Sequence, residues 1–212
     1  NINEDAFSSC INLKSIIISN YSKIISRKTF YNCSNLISFT LPQELTYIGD
    51  EAFGECKKLS IINFNKNLES IGEMAFIECI SLKIVDLPIC LKGIGNYAFC
   101  NCYNLTSIII NKNVQFIGIG TFYNCQNISI IYFLGKKEPN IDKEWLLNNK
   151  NLNEIIVPFN YKQNTFGGLN VSFLIDQNSY KLSGYSCYNF FIPKTGSLII
   201  YALSTFRIWI NS

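Results

Sequence analysis

Residues 52–74 read AFGECKKLSIINFNKNLESIGEM, and the same apolar pattern recurs every 23 residues on both sides of this stretch. The most regular column is phenylalanine, with a cysteine three positions later. The phenylalanines are Phe7, Phe30, Phe53, Phe76, Phe99 and Phe122, and the cysteines are Cys10, Cys33, Cys56, Cys79, Cys102 and Cys125. One such unit is too small to bury its own apolar face, so the repeat predicts coils that stack on one another. We number these coils 1 to 6 by their phenylalanines.

Within each coil, the order of apolar and polar residues predicts the local structure. Residues 59–64 alternate in their second half, which indicates a short strand with Ile62 and Phe64 inward and Ile61 and Asn63 outward. Stacked in register, these strands form a parallel sheet with about 4.8 Å between neighbours. The pair Ile71-Gly72 indicates a second, shorter extended segment, with the glycine allowing a turn. The A-F-x-x-C stretch needs a tight bend, which we expect to be a helical or 3₁₀ turn.

The pattern weakens after coil 6. Counting 23 residues on from Phe122 and Cys125 places Trp145 at the phenylalanine position of a seventh coil and Asn148 at its cysteine position. Leu152 then falls one residue late, which indicates a one-residue insertion within residues 135–151. We therefore expect repeats over residues 1–158, six regular and one degraded. Residues 159–212 should form a C-terminal cap or a small β-rich extension. Because the chain starts inside a unit, we also expect an N-terminal truncation.

The unit resembles the 23-residue leucine-rich repeat of the BspA-like, or Treponema pallidum-type, subclass. The positions that carry the resemblance in coil 3 are Ala52, Phe53, Cys56, Leu59, Ile62, Phe64, Leu68, Ile71 and Gly72. The resemblance implies a right-handed solenoid with a parallel sheet on its concave face. It also implies a cell-surface or secreted protein that acts in adhesion, binding host matrix proteins or other cells. The family has no catalytic residues to carry over.

Composition argues against several other classes of protein. The chain has no histidine, which removes the commonest general base and metal ligand, and we expect no catalytic site, metal or cofactor. A net charge of +3 with 16% charged residues is too dilute to indicate a nucleic-acid partner. Residues 198–210 are too few to span a bilayer, and Arg207 interrupts them. The ladder cysteines point inward as small apolar groups, so Cys56→Ser should bury a hydroxyl without a partner.

The outward positions of the long strands form the best candidate for a binding surface, which we call the outer row. Besides Ser15, Ser38 and Ser107, the row consists of Ile17, Thr40, Ile61, Asn63, Ile84, Asp86, Ile109, Ile130, Tyr132, Glu154 and Ile156. So many isoleucines on one face exceed what scattered surface residues need, and such patches often mark protein contacts. The sequence therefore predicts a non-enzymatic recognition module with a protein partner. The alternative is a structural or scaffolding repeat without a specific extracellular ligand.

Overall fold

The computed structural model describes residues 2–174, which form a stack of parallel coils made of turns and short strands. The strands are β1 (Ile24–Ile25), β2 (Ser38–Thr40), β3 (Tyr47–Ile48), β4 (Ile61–Asn63), β5 (Ser70–Ile71), β6 (Ile84–Asp86), β7 (Gly93–Ile94), β8 (Ser107–Ile110), β9 (Phe116–Ile117), β10 (Ile130–Phe133), β11 (Asn140–Ile141), β12 (Glu154–Val157), β13 (Thr165–Phe166), β14 (Leu169–Asn170) and β15 (Ser172–Phe173). This arrangement confirms the predicted solenoid.

Two faces of the stack carry parallel strands. One is a six-stranded sheet in the order β1-β3-β5-β7-β9-β11, built from the short segments that each end in an isoleucine, which glycine follows in β3, β5, β7 and β9. The other is built from the longer strands. In it β2 pairs with β4, and β6, β8, β10, β12 and β15 follow one another in a single sheet. Both predicted extended segments are therefore present, although coil 1 has no strand at residues 15–17.

The core between these faces consists of side chains stacked in columns. The phenylalanine rings of coils 1 to 6 lie parallel to their neighbours, with centroids 5.1–5.4 Å apart. Beside them, each ladder thiol from Cys33 to Cys125 points at the backbone carbonyl of the phenylalanine in the preceding coil. In coil 3, for example, Cys56 Sγ lies 3.2 Å from Phe30 O. The inward placement is confirmed for the five cysteines from Cys33 to Cys125 and is wrong for Cys10, which is exposed. The expectation that this position offers a hydroxyl no partner is also wrong.

The bend at A-F-x-x-C is a run of hydrogen-bonded turns, and residues 2–174 contain neither an α-helix nor a 3₁₀-helix. Its two ends lie in the left-handed region of backbone space. In coil 3 these are Glu51 (φ 54°) and Glu55 (φ 57°), and equivalent residues repeat along the stack. The bend therefore comes from paired left-handed residues, most of which are not glycine.

The glycines of the Ile-Gly pairs serve a different purpose from the one predicted. Gly49, Gly72, Gly95 and Gly118 all lack a positive φ. Instead, a Cβ on any of them would lie within 2.9 Å of the backbone of the preceding coil, as at Gly95, where it would be 2.5 Å from the carbonyl carbon of Gly72. Glycine is required here because neighbouring coils approach too closely for a side chain.

The predicted one-residue insertion lies late in coil 6, between Phe133 and Asn140, and so overlaps the start of the predicted range 135–151. Asn140 already pairs with Phe116, 24 residues before it, and Glu154 keeps the same offset from Ile130. Trp145 O accepts the bond from Phe122 N that an alanine or threonine carbonyl accepts in earlier coils. Trp145 thus occupies the backbone position of the repeat's alanine, and the predicted phenylalanine position is wrong.

The cysteine position of coil 7 shifts with it. Asn149 makes the contact that the ladder cysteines make in earlier coils, because its Nδ2 donates to the carbonyl oxygen of Phe122, in the preceding coil, at 2.8 Å. Asn148 has a φ of 64° and matches the left-handed residue that precedes the cysteine in other coils, such as Asn124. The assignment of Asn148 to the cysteine column is therefore wrong by one residue.

Beyond coil 7, residues 159–174 lie at the end of the core. The antiparallel pair β13–β14 brings Phe166 into the interior, where its ring lies 4.5 Å from Phe133 and 5.7 Å from Trp145. Tyr161 is also buried there and donates to Thr165 O at 2.9 Å. Strand β15 then joins the long-strand sheet beside β12. The final phenylalanine column thus meets aromatic side chains from outside the repeat.

Candidate interaction surface

The outer row is exposed along its N-terminal half. Ile61 and Ile84 are the first residues of β4 and β6, and their exposed fractions are 60% and 57%. Ile17, in the strandless part of coil 1, is 96% exposed. The alternation of each strand produces this pattern, since the intervening Ile62 and Val85 point into the core. Three isoleucines of the row are therefore presented to solvent as predicted.

Polar residues stand beside these isoleucines. Thr40, Asn63 and Asp86 end the strands β2, β4 and β6, and all three are exposed. The neighbouring strands still desolvate the Asp86 carboxyl enough to raise its pKa above the ordinary value. A surface that pairs an aliphatic side chain with a polar one in successive coils can bury apolar area and also accept or donate hydrogen bonds.

The C-terminal half of the outer row is less exposed than the N-terminal half. Tyr132 is 7% exposed and Ile156 is 1% exposed, so the prediction that these two residues face solvent is wrong. They form a small apolar cluster of their own, outside the main core, against which Ile109, Ile130, Leu134 and Leu174 pack. Glu154 is half-buried next to them. The freely accessible part of the outer row is accordingly confined to coils 1 to 4.

The cysteines do not form a reactive centre within the described residues. All eight cysteines of residues 2–174 are free thiols, and only Cys10 and Cys90 are exposed. Burial raises the pKa of Cys33 and of Cys100 to about 11, because the interior disfavours the thiolate. Cys187 lies outside the described range. The same residues 2–174 contain no cluster of three or more acidic or cysteine side chains that could hold a metal ion.

The sequence interpretation missed apolar residues on the other sheet. Phe116, the outward residue of β9, is exposed, and so is Ile24 in β1. An open groove of about 710 Å³ runs near this face, with Lys92, Lys112 and Lys137 among its lining residues. Lys92 is already paired with Glu69, at 2.7 Å. The signal that could have revealed Phe116 is its place one residue before the buried Ile117, the same alternation that identified the outer row.

Comparison with known proteins identifies the family of this chain. A model of the BspA type leucine rich repeat region matches residues 1–92 and 73–190, with six copies. The chain belongs to this family. A search of the curated proteins finds no significant match. The part of the chain that the structure describes contains no helix with the length and apolarity needed to cross a membrane.

Two solved structures share the fold. A leucine rich repeat protein of T. pallidum, TpLRR, is 26% identical, with a TM-score of 0.52 over 68% of this chain and 77% of that one. The pneumococcal vaccine antigen PcpA is 21% identical, with a TM-score of 0.55 over 68% of this chain and 36% of that one. This BspA-type chain thus spans about a third of the length of PcpA, and the likeness to PcpA concerns the fold alone.

Proposed function

We propose that this BspA-type chain is a non-enzymatic recognition module that binds a protein partner through the exposed part of the outer row. The observation that carries the proposal is the exposure of Ile61 and Ile84 at equivalent positions of coils 3 and 4. Ile61 and Ile84 begin β4 and β6, which contact each other but belong to separate sheets, so the two side chains are successive apolar points on one face. Asn63 and Asp86 beside them supply polar contacts that would fix the orientation of a partner.

The proposed strength of binding follows from the exposed area. Complete burial of an isoleucine side chain stabilises by about 1.5–3 kcal/mol. Since Ile61 and Ile84 are only partly exposed, each would contribute roughly 1–2 kcal/mol, and Ile17 would contribute more. Such a surface supports moderate affinity for one partner and strong avidity when many copies are displayed together. We propose display at a cell surface or in the extracellular space, where the partner is a host matrix or cell-surface protein.

The test uses the full chain and matrix deposited by cultured fibroblasts and then stripped of cells. Labelled chain should bind this matrix saturably, and Ile61→Asp combined with Ile84→Asp should weaken the apparent affinity at least tenfold. Ile89→Asp is the matched control, because Ile89 is an exposed isoleucine that lies outside the outer row. Equal binding by the parent and the double variant would refute the assignment of the surface. Absence of saturable binding would favour the scaffolding alternative.

A further inference from the structure

The six-stranded sheet of short strands has an unfilled side-chain position on its outer face. Strand β7 begins with Gly93, whose register partners are Ser70 in β5 and Phe116 in β9. Ile94 is buried, so position 93 points outward, as does Phe116, which is 42% exposed. A Cβ at Gly93 would meet nothing within 4 Å. The backbone at Gly93 is thus the floor of a notch, with Phe116 as its wall one strand spacing away, about 4.8 Å.

The fold itself does not require glycine at this position. Gly95 is needed because a Cβ would meet the preceding coil, whereas Gly93 has neither a close neighbour nor a positive φ. Glycine in a strand costs roughly 0.5–1 kcal/mol relative to alanine, and it often marks a bulge or the close approach of a ligand to the backbone. Strand β7 pairs in regular register on both sides, which excludes a bulge. Gly93 therefore points to a ligand that lies against the backbone of β7.

Positive charge lies next to the notch. Lys92 precedes Gly93 and lines the open groove of about 710 Å³ together with Lys112 and Lys137. Lys92 is paired with Glu69, whose carboxylate lies 2.7 Å from its Nζ. Within the described part of the chain, Lys112 and Lys137 form no ion pair. The groove therefore presents two exposed ammonium groups without a carboxylate partner, which attract an anion.

The remaining polar groups of the groove favour a ligand that carries hydroxyls. The second carboxylate of the groove, Glu138, accepts a hydrogen bond from Gly167 N. The side-chain amides of Gln115 and Asn140 are exposed and make no hydrogen bond in the part of the chain that the structure describes. An amide both donates and accepts, as a hydroxyl does. Asn140 also lines a depression that contains Phe116, so the amides, the lysines and the ring adjoin one another.

An acidic polysaccharide carries all the groups that match this site. The apolar C–H face of a sugar packs on an aromatic ring, its hydroxyls pair with amides, and its carboxylates or sulfates pair with ammonium groups. A six-membered sugar ring is also about as wide as one strand spacing of about 4.8 Å, so it can lie on the backbone of β7 beside Phe116. An acidic peptide would satisfy the lysines but has no sugar ring to fill the notch.

We propose that the sheet of short strands binds an acidic polysaccharide. One sugar ring lies over Gly93 against Phe116, and the carboxylate or sulfate groups of the chain pair with Lys112 and Lys137. This surface is on a different sheet from the outer row. It therefore adds a second class of ligand, and it stands whether or not the outer row binds a protein.

Fluorescence anisotropy of the full chain with labelled octasaccharides of heparin and of hyaluronan tests the charged part of the site. At least one should bind saturably, and a preference for heparin or for hyaluronan identifies sulfate or carboxylate as the bound group. Lys112→Gln combined with Lys137→Gln should weaken the apparent affinity at least tenfold. Lys58→Gln combined with Lys83→Gln is the matched control, because both lysines are exposed, lie outside the groove and change the net charge equally.

Three results of that titration would overturn the proposal. The first is equal weakening by the two lysine pairs, which would indicate attraction by net charge alone. The second is binding of labelled polyglutamate as tight as that of either octasaccharide, which would assign the groove to an acidic peptide. The third is the absence of saturable binding of both octasaccharides.

Two further variants test the notch itself. Gly93→Val places a side chain where a Cβ has open space, so the midpoint of urea unfolding should not fall. The affinity for the octasaccharide should nevertheless fall at least fivefold, because the valine occupies the place of the sugar ring. Phe116→Leu should weaken binding by a similar factor through loss of the flat ring. Unchanged affinity in either variant that keeps the parent's urea midpoint would place the ligand elsewhere and overturn the proposal.

Discussion

Replacement of Gly95 by alanine tests whether the glycine column exists to let coils approach each other. A Cβ at Gly95 would lie 2.5 Å from Gly72 C and 2.6 Å from Glu73 N, roughly 1 Å closer than van der Waals contact allows. Both neighbours are backbone atoms, so no side chain can rotate away. Coils 3 and 4 would have to separate locally, which stretches the bond from Gly95 N to Ile71 O, now 2.8 Å.

The expected loss of stability follows from these two effects, the steric overlap and the stretched hydrogen bond. Overpacking in a dense interior costs about 1–3 kcal/mol, and a weakened backbone hydrogen bond adds roughly 0.5–1.5 kcal/mol. We therefore expect Gly95→Ala to lower the free energy of unfolding by about 2–4 kcal/mol. With urea slopes of about 1–3 kcal/mol per molar, the midpoint followed by far-ultraviolet circular dichroism should fall by roughly 1 M or more.

Gly93 is the matched control, two residues away at the start of β7. A Cβ there meets nothing within 4 Å, and neither Gly93 nor Gly95 has a positive φ. Gly93→Ala should therefore leave stability unchanged or raise it by up to about 1 kcal/mol, since alanine reduces the freedom of the unfolded chain. If the two substitutions shifted the urea midpoint equally, close approach of the coils would not be the reason for the glycine column.

Three further outcomes are expected, each measured by urea unfolding. The free energy of unfolding should fall between pH 8 and pH 10 by about 1.4 kcal/mol for each of Cys33 and Cys100. The reason is that the pKa of each thiol is near 9 in the unfolded chain and about 11 in the folded one. A free energy of unfolding that stays constant over this pH range would contradict the prediction. Cys56→Ser should cost only about 1–2 kcal/mol, since the hydroxyl keeps a carbonyl acceptor, and a loss above 3 kcal/mol would argue against that bond. Asn149→Cys should leave the free energy of unfolding nearly unchanged. Asn148→Cys should lower it by about 1 kcal/mol, because residue 148 has a left-handed backbone conformation. A larger loss for Asn149→Cys than for Asn148→Cys would refute the revised register.

The fold could be predicted from the sequence because its determinants are local and repeated. Each coil places Phe, Cys and Ile at the same positions, and six independent occurrences leave no freedom in the register. The two strands per coil also follow directly, since Ile61 and Ile62 differ in burial as their alternation requires. The periodicity was therefore sufficient to predict both the stacking of the coils and which residues point into the core.

The errors arose where the stack is not periodic or where neighbouring coils interact. Trp145 fits a spacing of 23 and is aromatic, but the insertion before Asn140 had already moved the register by one residue. The role of Gly95 depends on the distance to coil 3, which no single repeat contains. Tyr132 and Ile156 are buried in a cluster against which Leu174, from beyond the repeats, packs, so no pattern within coils 6 and 7 could reveal their burial.

The left-handed residues at the bends also have a consequence for engineering thermostability. Within residues 2–174, twelve residues other than glycine adopt positive φ, among them Glu51, Met74 and Tyr97, at a cost of about 1–2 kcal/mol each for an ordinary side chain. Asparagine tolerates this conformation better, and the chain already uses it at Asn101 and Asn124. A consensus coil with asparagine at both bend positions should therefore melt at a higher temperature, with gains that accumulate as the coil is multiplied.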